Sequence, residues 1–523
     1  MRHALKLGIL ASIVMNCTLF AAAPAPGPML ATATPSAIPP IPKPLDFPLP
    51  KLLPAGKDFP ITDFGAVADG KTLNTAAIQK AIDACSAQGG GTVVVAKTAQ
   101  GNTFMSGAIF LKKGVHLRVD KDAVLKGSTN PVDYPIVNTR FEGIERPFMC
   151  AFINASDVDG ITLSGEGTID GSGDQFAGRA LGARGRGPAT APASGPASAP
   201  AASPQSGAGA TPPLQNAFNG PRTVLTPTPG NPPATQIVGA GGNRPRLVCF
   251  TNCTNCAVQN IHLQNQAVWC LHILYCTDFL VDGVNILDPT HRVPSSDGID
   301  IDSSRRVRVN NTTISVNDDC ISIKSGKDAD GRRVNRPCED ILIVNSHMAE
   351  GQGGVAMGSE VSGMIRNVEV RDTIVDSNNW APIRFKSNIT RGGIVENIVY
   401  RNIKIDKVRG IFDFNLEWNR AGSSGERMPT VVRNVYVINV TGNANSGGSI
   451  HGLPDSPITN IMFKDCVLTA NTGVRLSNTA NLDTSGLKLT VANGAPILDG
   501  AAAGRGRGAP PAASAPAAVP AQP

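Results

Sequence analysis

Aromatic side chains make up only 5% of the 523 residues, and charged side chains only 17%. A nucleic-acid surface needs dense basic clusters interleaved with aromatics, so with a formal net charge of +6 that function is not expected. The small positive excess is compatible with a polyanionic partner and sits partly in Arg2, Lys6 and Arg-Gly pairs near positions 184 and 505. Long apolar runs are missing too. Outside Leu7 to Phe20 no stretch could span a bilayer, which takes roughly 20 apolar residues. Helical periodicity is equally scarce. It is clear only over Asn74–Gln88, where Ile78, Ala81, Ile82 and Cys85 fall at i, i+3, i+4 and i+7 before Gly89-Gly90-Gly91 ends the pattern.

What the chain has in quantity is Gly, at 55 positions, and short Val/Ile runs closed by Asn, Asp or Gly. Such runs begin at Val258, Phe279, Val307, Ile341, Val368, Ile398, Val435 and Ile461, and equivalent positions recur every 22 to 37 residues. Hairpin turn signals between them are few, which argues against a β-sandwich. The expected fold is all-β, a right-handed single-stranded parallel β-helix with turns of varying length and no helices between its coils. The Asn74–Gln88 helix is expected to cap its first coil, which would otherwise expose an apolar end.

The termini and one internal segment follow other rules. Residues 1–23 carry Arg2, His3 and Lys6, an apolar stretch, and Ala21-Ala22-Ala23, the pattern of a cleaved signal peptide. A secreted or periplasmic, monomeric product without stable membrane insertion is therefore expected. Residues 24–57 form a Pro-rich, extended lead-in. The β-helix is expected over 58–498, interrupted by an Ala/Pro/Gly/Ser-rich insertion over 177–243 and followed by a similar tail over 499–523. Neither low-complexity segment has the apolar surface to offset its ordering entropy, so both are expected to be disordered. Excluding Cys17, ten cysteines remain. Cys253 and Cys256 make a CxxC, but the segment alternates like a strand and no second CxxC follows at zinc-ribbon spacing. Packed core cysteines are the favoured reading, and neither a metal site nor a cofactor is expected.

Carboxylates concentrate in Ser295-Ser-Asp-Gly-Ile-Asp-Ile-Asp302 and Val316-Asn-Asp-Asp-Cys-Ile-Ser-Ile-Lys324. Asp297 precedes Asp319 by 22 residues, about one coil, so the two are expected on adjacent rungs roughly 4.8 Å apart. Asp318 and Asp319 can share a cleft only if the chain bends between them. Further on, Gly351-Gln-Gly-Gly354 and Arg384-Phe-Lys386 fall at equivalent coil positions, with both cations on one face and Phe385 in the core. An acid, a base and cations on one surface is what cleaving an acidic glycoside requires.

These motifs, with Gly358-Ser-Glu360 and the Phe59-to-Gly70 opening of the coil, resemble glycoside hydrolase family 28, the polygalacturonases, from about Phe59 to Ser477. Gly354-Val-Ala-Met-Gly-Ser-Glu360 is most similar to the bacterial exo-acting branch. The resemblance implies inverting hydrolysis of α-galacturonosyl linkages in pectic polysaccharide or oligogalacturonide. It assigns Asp318 as general acid, Asp297 and Asp319 to water activation, and Arg384 and Lys386 to the galacturonate carboxylate. Three motifs depart from the family: Ser295-Ser296-Asp297 stands for Asn-Thr-Asp, Asn317-Asp318-Asp319 for Gly-Asp-Asp, and Gly351-Gln352-Gly353 for Gly-His-Gly. The last places Gln352, which can hydrogen-bond but cannot titrate, where the family's His is taken to tune the catalytic acid, and Gln352 is expected to bind substrate. A rhamnogalacturonan-type hydrolase, a Ca²⁺-dependent pectate lyase and a non-catalytic carbohydrate-binding solenoid are the alternatives.

Overall fold

The computed structural model describes residues 37–176, 244–377, 379–418 and 425–499. The expected signal peptide, the start of the lead-in, the insertion and all but the first residue of the expected tail lie outside them.

Among the described residues thirty-two strands join one parallel sheet that winds into a right-handed β-helix. Middle coils contribute three short strands each, as in Ile299–Asp302, Arg305–Asn310 and Thr313–Ser315, and later ones merge them into long strands such as Ile394–Asn415. One ladder carries the site. It runs through Val248–Thr251, Leu271–Leu274, Ile299–Asp302, Ile321–Lys324, Gly353–Met357, Ala381–Lys386 and the end of Ile394–Asn415, all parallel. Its register stacks Ile301, Ile323, Met357, Phe385 and Phe414 inward, with the Phe385 and Phe414 rings 4.2 Å apart. By the period of two, Asp300, Asp302, Ser322, Lys324, Arg384 and Lys386 point outward.

Asn and Asp residues that immediately precede the runs have a structural task. Asn481, Asn460, Asn434, Asn397, Asn367 and Asp340 all hold left-handed φ, a region these side chains tolerate better than most. Each amide donates to the next residue down the stack at 2.6–3.2 Å, a ladder that pins successive turns together.

The expected cap is helix α1, Thr75–Ala87, which buries Ile78, Ala81, Ile82 and Cys85 against the first coil. Contrary to expectation a helix, α2 (Asp328–Val334), interrupts the coil after Ile321–Lys324. It is too short to show amphipathic periodicity; Asp328 and Asp330 in its first turn and Arg332 and Arg333 in its last complement the helix dipole. The ten described cysteines are all buried and unpaired, and none joins a cluster of three metal-ligating groups among the described residues.

Two elements lie outside the coil. An antiparallel hairpin, Ile136–Phe141 with Ile144–Met149, roofs the outer face of the site ladder. Its Phe141 stacks on Phe148 at 4.2 Å and meets Trp269 at 4.8 Å, while Arg140 reaches down to Asp302 at 2.8 Å. Gly143 at the hairpin tip (φ +77°) is fixed by contact: a Cβ there would meet Lys327 Cβ at 2.6 Å. The described part of the lead-in is extended and lies along the solenoid. Ile38 and Ile41 pack on Val399, Tyr436 and Ile438, Tyr436 donates to Pro39 O, and Arg371 and Arg401 donate to Leu45 O and Pro42 O.

Candidate active site

Asp297, Asp318 and Asp319 each place a carboxylate oxygen within 4.8 Å of the other two. Adjacent coils account for the first and third, since Gly298 N donates to Asp319 O at 3.0 Å. The bend required at Asp318 is present, in the corner between Thr313–Ser315 and Ile321–Lys324. It leaves Asp318 partly exposed at the cleft while Asp297 and Asp319 are buried.

Arg384 and Lys386, two rungs along, both bind Asp319: Arg384 Nη1 donates to Oδ1 at 2.9 Å and Lys386 Nζ to Oδ2. Ser322 Oγ lies 3.1 Å from the same Oδ2 and 3.2 Å from Asp297 Oδ2. Arg384 also donates to Asp413 at 3.0 Å, and Trp418 presents its ring 4.9 Å from the Arg384 guanidinium and 5.5 Å from Lys386 Nζ. Gly353 makes room for this cluster, because a Cβ there would sit 2.7 Å from Asp319 Oδ1 and 3.0 Å from Arg384 Cδ.

This packing splits the three acids. Burial alone would raise Asp319, but Lys386 and then Arg384 outweigh it and hold the carboxyl far below its ordinary value. Asp297 is pushed up to about 8 by burial and then by Asp318, against the pull of Lys324. Burial and then Asp319 raise Asp318 as well. The Asp297/Asp318 pair thus retains a proton near neutral pH beside a permanent anion at Asp319, so the cluster can donate a proton, orient water and offer two cations to an acidic group. Gln352 donates from its backbone to Asp318 O at 2.8 Å and from its side chain to Asn317 O at 3.3 Å, bracing the corner that carries Asp318.

Sequence reasoning brought those six residues forward, and they lie on four successive rungs. It did not single out Lys324, whose buried Nζ lies 3.2 Å from Glu360, 3.5 Å from Asp300 and 3.9 Å from Asp297, over the Trp269 ring. Asp300 is wholly buried, and neither of its carboxylate oxygens has a hydrogen-bond partner among the described residues. Burial and then Asp297 push it well above its ordinary value. The signal was present in the outward parity of Asp300 and Lys324 around core residues Ile299, Ile301, Ile321 and Ile323.

Residues 234–487 match the model of glycosyl hydrolases family 28. Over that stretch the chain is similar to this family. Among its family-28 relatives, a probable polygalacturonase of Vitis vinifera is 25% identical over 420 residues, covering 78% of this chain and 73% of that one. An exo-poly-alpha-D-galacturonosidase of Dickeya chrysanthemi is 27% identical over 350 residues, covering 65% of this chain; the match spans 54% of that protein's length. The crystal structure of a hyperthermoactive exopolygalacturonase from Thermotoga maritima superposes with a TM-score of 0.65 at 25% identity, covering 84% of this chain and 94% of that one. The family match and these relatives support glycoside hydrolase activity. No described helix is long and apolar enough to cross a membrane.

Proposed function

We propose that the protein hydrolyses α-galacturonosyl linkages of pectic polysaccharide or oligogalacturonide, exo-acting and outside the cytoplasm, as a monomer. The observation that carries the reading is the set of three carboxylates within 4.8 Å of one another, flanked by Arg384 and Lys386. Asp318 is the general acid: it is the partly exposed member of the pair that retains a proton, so the glycosidic oxygen can reach it. While Asp318 holds that proton its charge no longer raises Asp297, and Lys324 at 3.9 Å favours the Asp297 carboxylate. Asp297 and Asp319 then hold and activate water. Arg384 and Lys386 turn from Asp319 toward the galacturonate carboxylate, and Gln352 lines the same subsite while bracing the corner.

The family resemblance supports inversion, yet the oxygens lie closer than the roughly 6.5–9.5 Å usual between inverting carboxyl groups. NMR of the first-formed anomer tests this directly: a β-configured product supports inversion, and an α-configured one refutes it. Two cations already neutralise Asp319, which weighs against a Ca²⁺-dependent lyase built on the same carboxylates. The deciding assay is release of reducing ends from polygalacturonate with and without chelator. Chelator-insensitive release that Asp318→Asn abolishes without unfolding the protein supports the proposal. An ultraviolet-absorbing unsaturated product, or undiminished turnover by Asp318→Asn, refutes it. Galacturonate monomer as the sole early product marks exo action, and a ladder of oligomers marks endo action.

A further inference from the structure

Trp380 is unusual in this chain: an aromatic residue 49% exposed, close to the catalytic corner. Its place is fixed from both sides. Its amide donates to Gly351 O at 3.0 Å and its carbonyl accepts from Gly410 N at 2.9 Å. The preceding Asn379 is wholly buried and donates to Met348 O and Asp376 O, both at 3.0 Å. The corner column therefore runs Asp318, Gln352, Trp380, Arg409, one residue per coil, with Trp380 two rungs or about 10 Å from Asp318. On the next rung the exposed Arg409 holds its guanidinium 5.9 Å from the Trp380 ring centroid, and the adjacent Gly410 adds no side chain beside it. A half-exposed indole leaves apolar surface in water, and the core does not need it.

We propose that Trp380 and Arg409 form a second uronate subsite on the corner beyond Gln352, taking a sugar that flanks the two at the scissile bond. The indole face supplies a platform for the C–H face of a pyranose, and Arg409 supplies the cation for its carboxylate. Arg384 and Lys386 serve the ladder two rungs from Asp319; Trp380, on their rung, and Arg409, on the next, serve the column at its edge. The assignment rests on the pectic reading above and adds to it the requirement that binding grow with chain length.

Calorimetric titration in the Asp318→Asn background separates the two ideas, because binding is read without turnover. The parent is expected to bind tetragalacturonate more tightly than digalacturonate. Trp380→Ala is expected to raise the tetramer Kd about tenfold, to the level of the dimer, while leaving dimer binding unchanged. Trp380→Phe should retain most of the tetramer affinity. Arg409→Gln should weaken the acidic tetramer but not its methyl ester. Unaltered tetramer binding, equal weakening of dimer and tetramer, or binding of neither overturns the subsite. If wild-type protein releases no reducing ends from polygalacturonate, the proposed activity fails, whatever the titrations show.

Discussion

Replacing Asp319 by Asn tests the ion cluster at its centre. The carboxylate is wholly buried and accepts from Arg384, Lys386 and Ser322. An amide of the same shape removes the charge but little volume. Arg384 keeps Asp413 at 3.0 Å, whereas Asp319 is the one carboxylate within ion-pair distance of Lys386 among the described residues. Breaking a buried pair from one side costs about 3–5 kcal/mol, and the retained Arg384–Asp413 pair puts this case near 3. Unfolding entropy of about 2.1 cal/mol/K per residue, over roughly 390 described residues, converts that into a melting point lower by about 4 °C. Calorimetry at pH 7 is the assay, repeated with added galacturonate. Because the folded pKa of Asp319 lies below its unfolded value, its stabilisation is present above about pH 4 and is lost as the pH falls further. The gap between wild type and variant should therefore hold from pH 5 to 7 and close in acid. Galacturonate, whose carboxylate can replace the missing anion, should stabilise the variant more than the wild type. An unchanged melting point at pH 7, or equal stabilisation of both proteins by galacturonate, would refute the reasoning.

Three further outcomes are expected. Activity should decline on the alkaline side as the Asp297/Asp318 pair, with Asp297 near 8, loses its proton; Lys324→Met removes a cation that holds Asp297 down, so the alkaline limb of the kcat profile should move up, and a downward or absent shift counts against the pair. Gly353→Ala forces a methyl group to 2.7 Å from Asp319 Oδ1, which the cations hold in place, so it should cost about 1–3 kcal/mol by denaturant titration and at least tenfold in kcat; wild-type kinetics would show the cluster to be compliant. Gln352→His should raise the rate on homogalacturonan if Gln352 attenuates the enzyme, whereas a lower rate on the preferred pectic substrate would show that Gln352 is adapted to it.

The coil was legible because its signal is local: Val and Ile at alternate positions, closed by residues that tolerate left-handed φ. The meeting of Asp297 with Asp319 was legible for the same reason, since one coil of spacing is visible as residue count. What escaped depended on contacts far apart in sequence. Arg140 lies 162 residues from Asp302, and nothing in Thr139-Arg-Phe-Glu-Gly-Ile-Glu145 announces a roof over a polar network. The Lys324 hub was hidden by the same roof: outward-facing polar residues on a strand read as solvated until something covers them. Helix α2 was missed because two turns are too few for periodicity to emerge.

The extended lead-in gives the solenoid a property that stacking alone does not provide. In a stack of coils each rung touches only its neighbours, so stability spreads along the axis and either end can fray alone. Here Tyr436 bonds Pro39 across 397 residues, Arg401 bonds Pro42 across 359, and Leu45 bonds Glu369 across 324. These contacts tie residues 39–45 to the coils that carry Glu369, Arg401 and Tyr436. The strap therefore acts as a latch, joining an early segment of the chain to much later coils so that loosening either one is felt by the other.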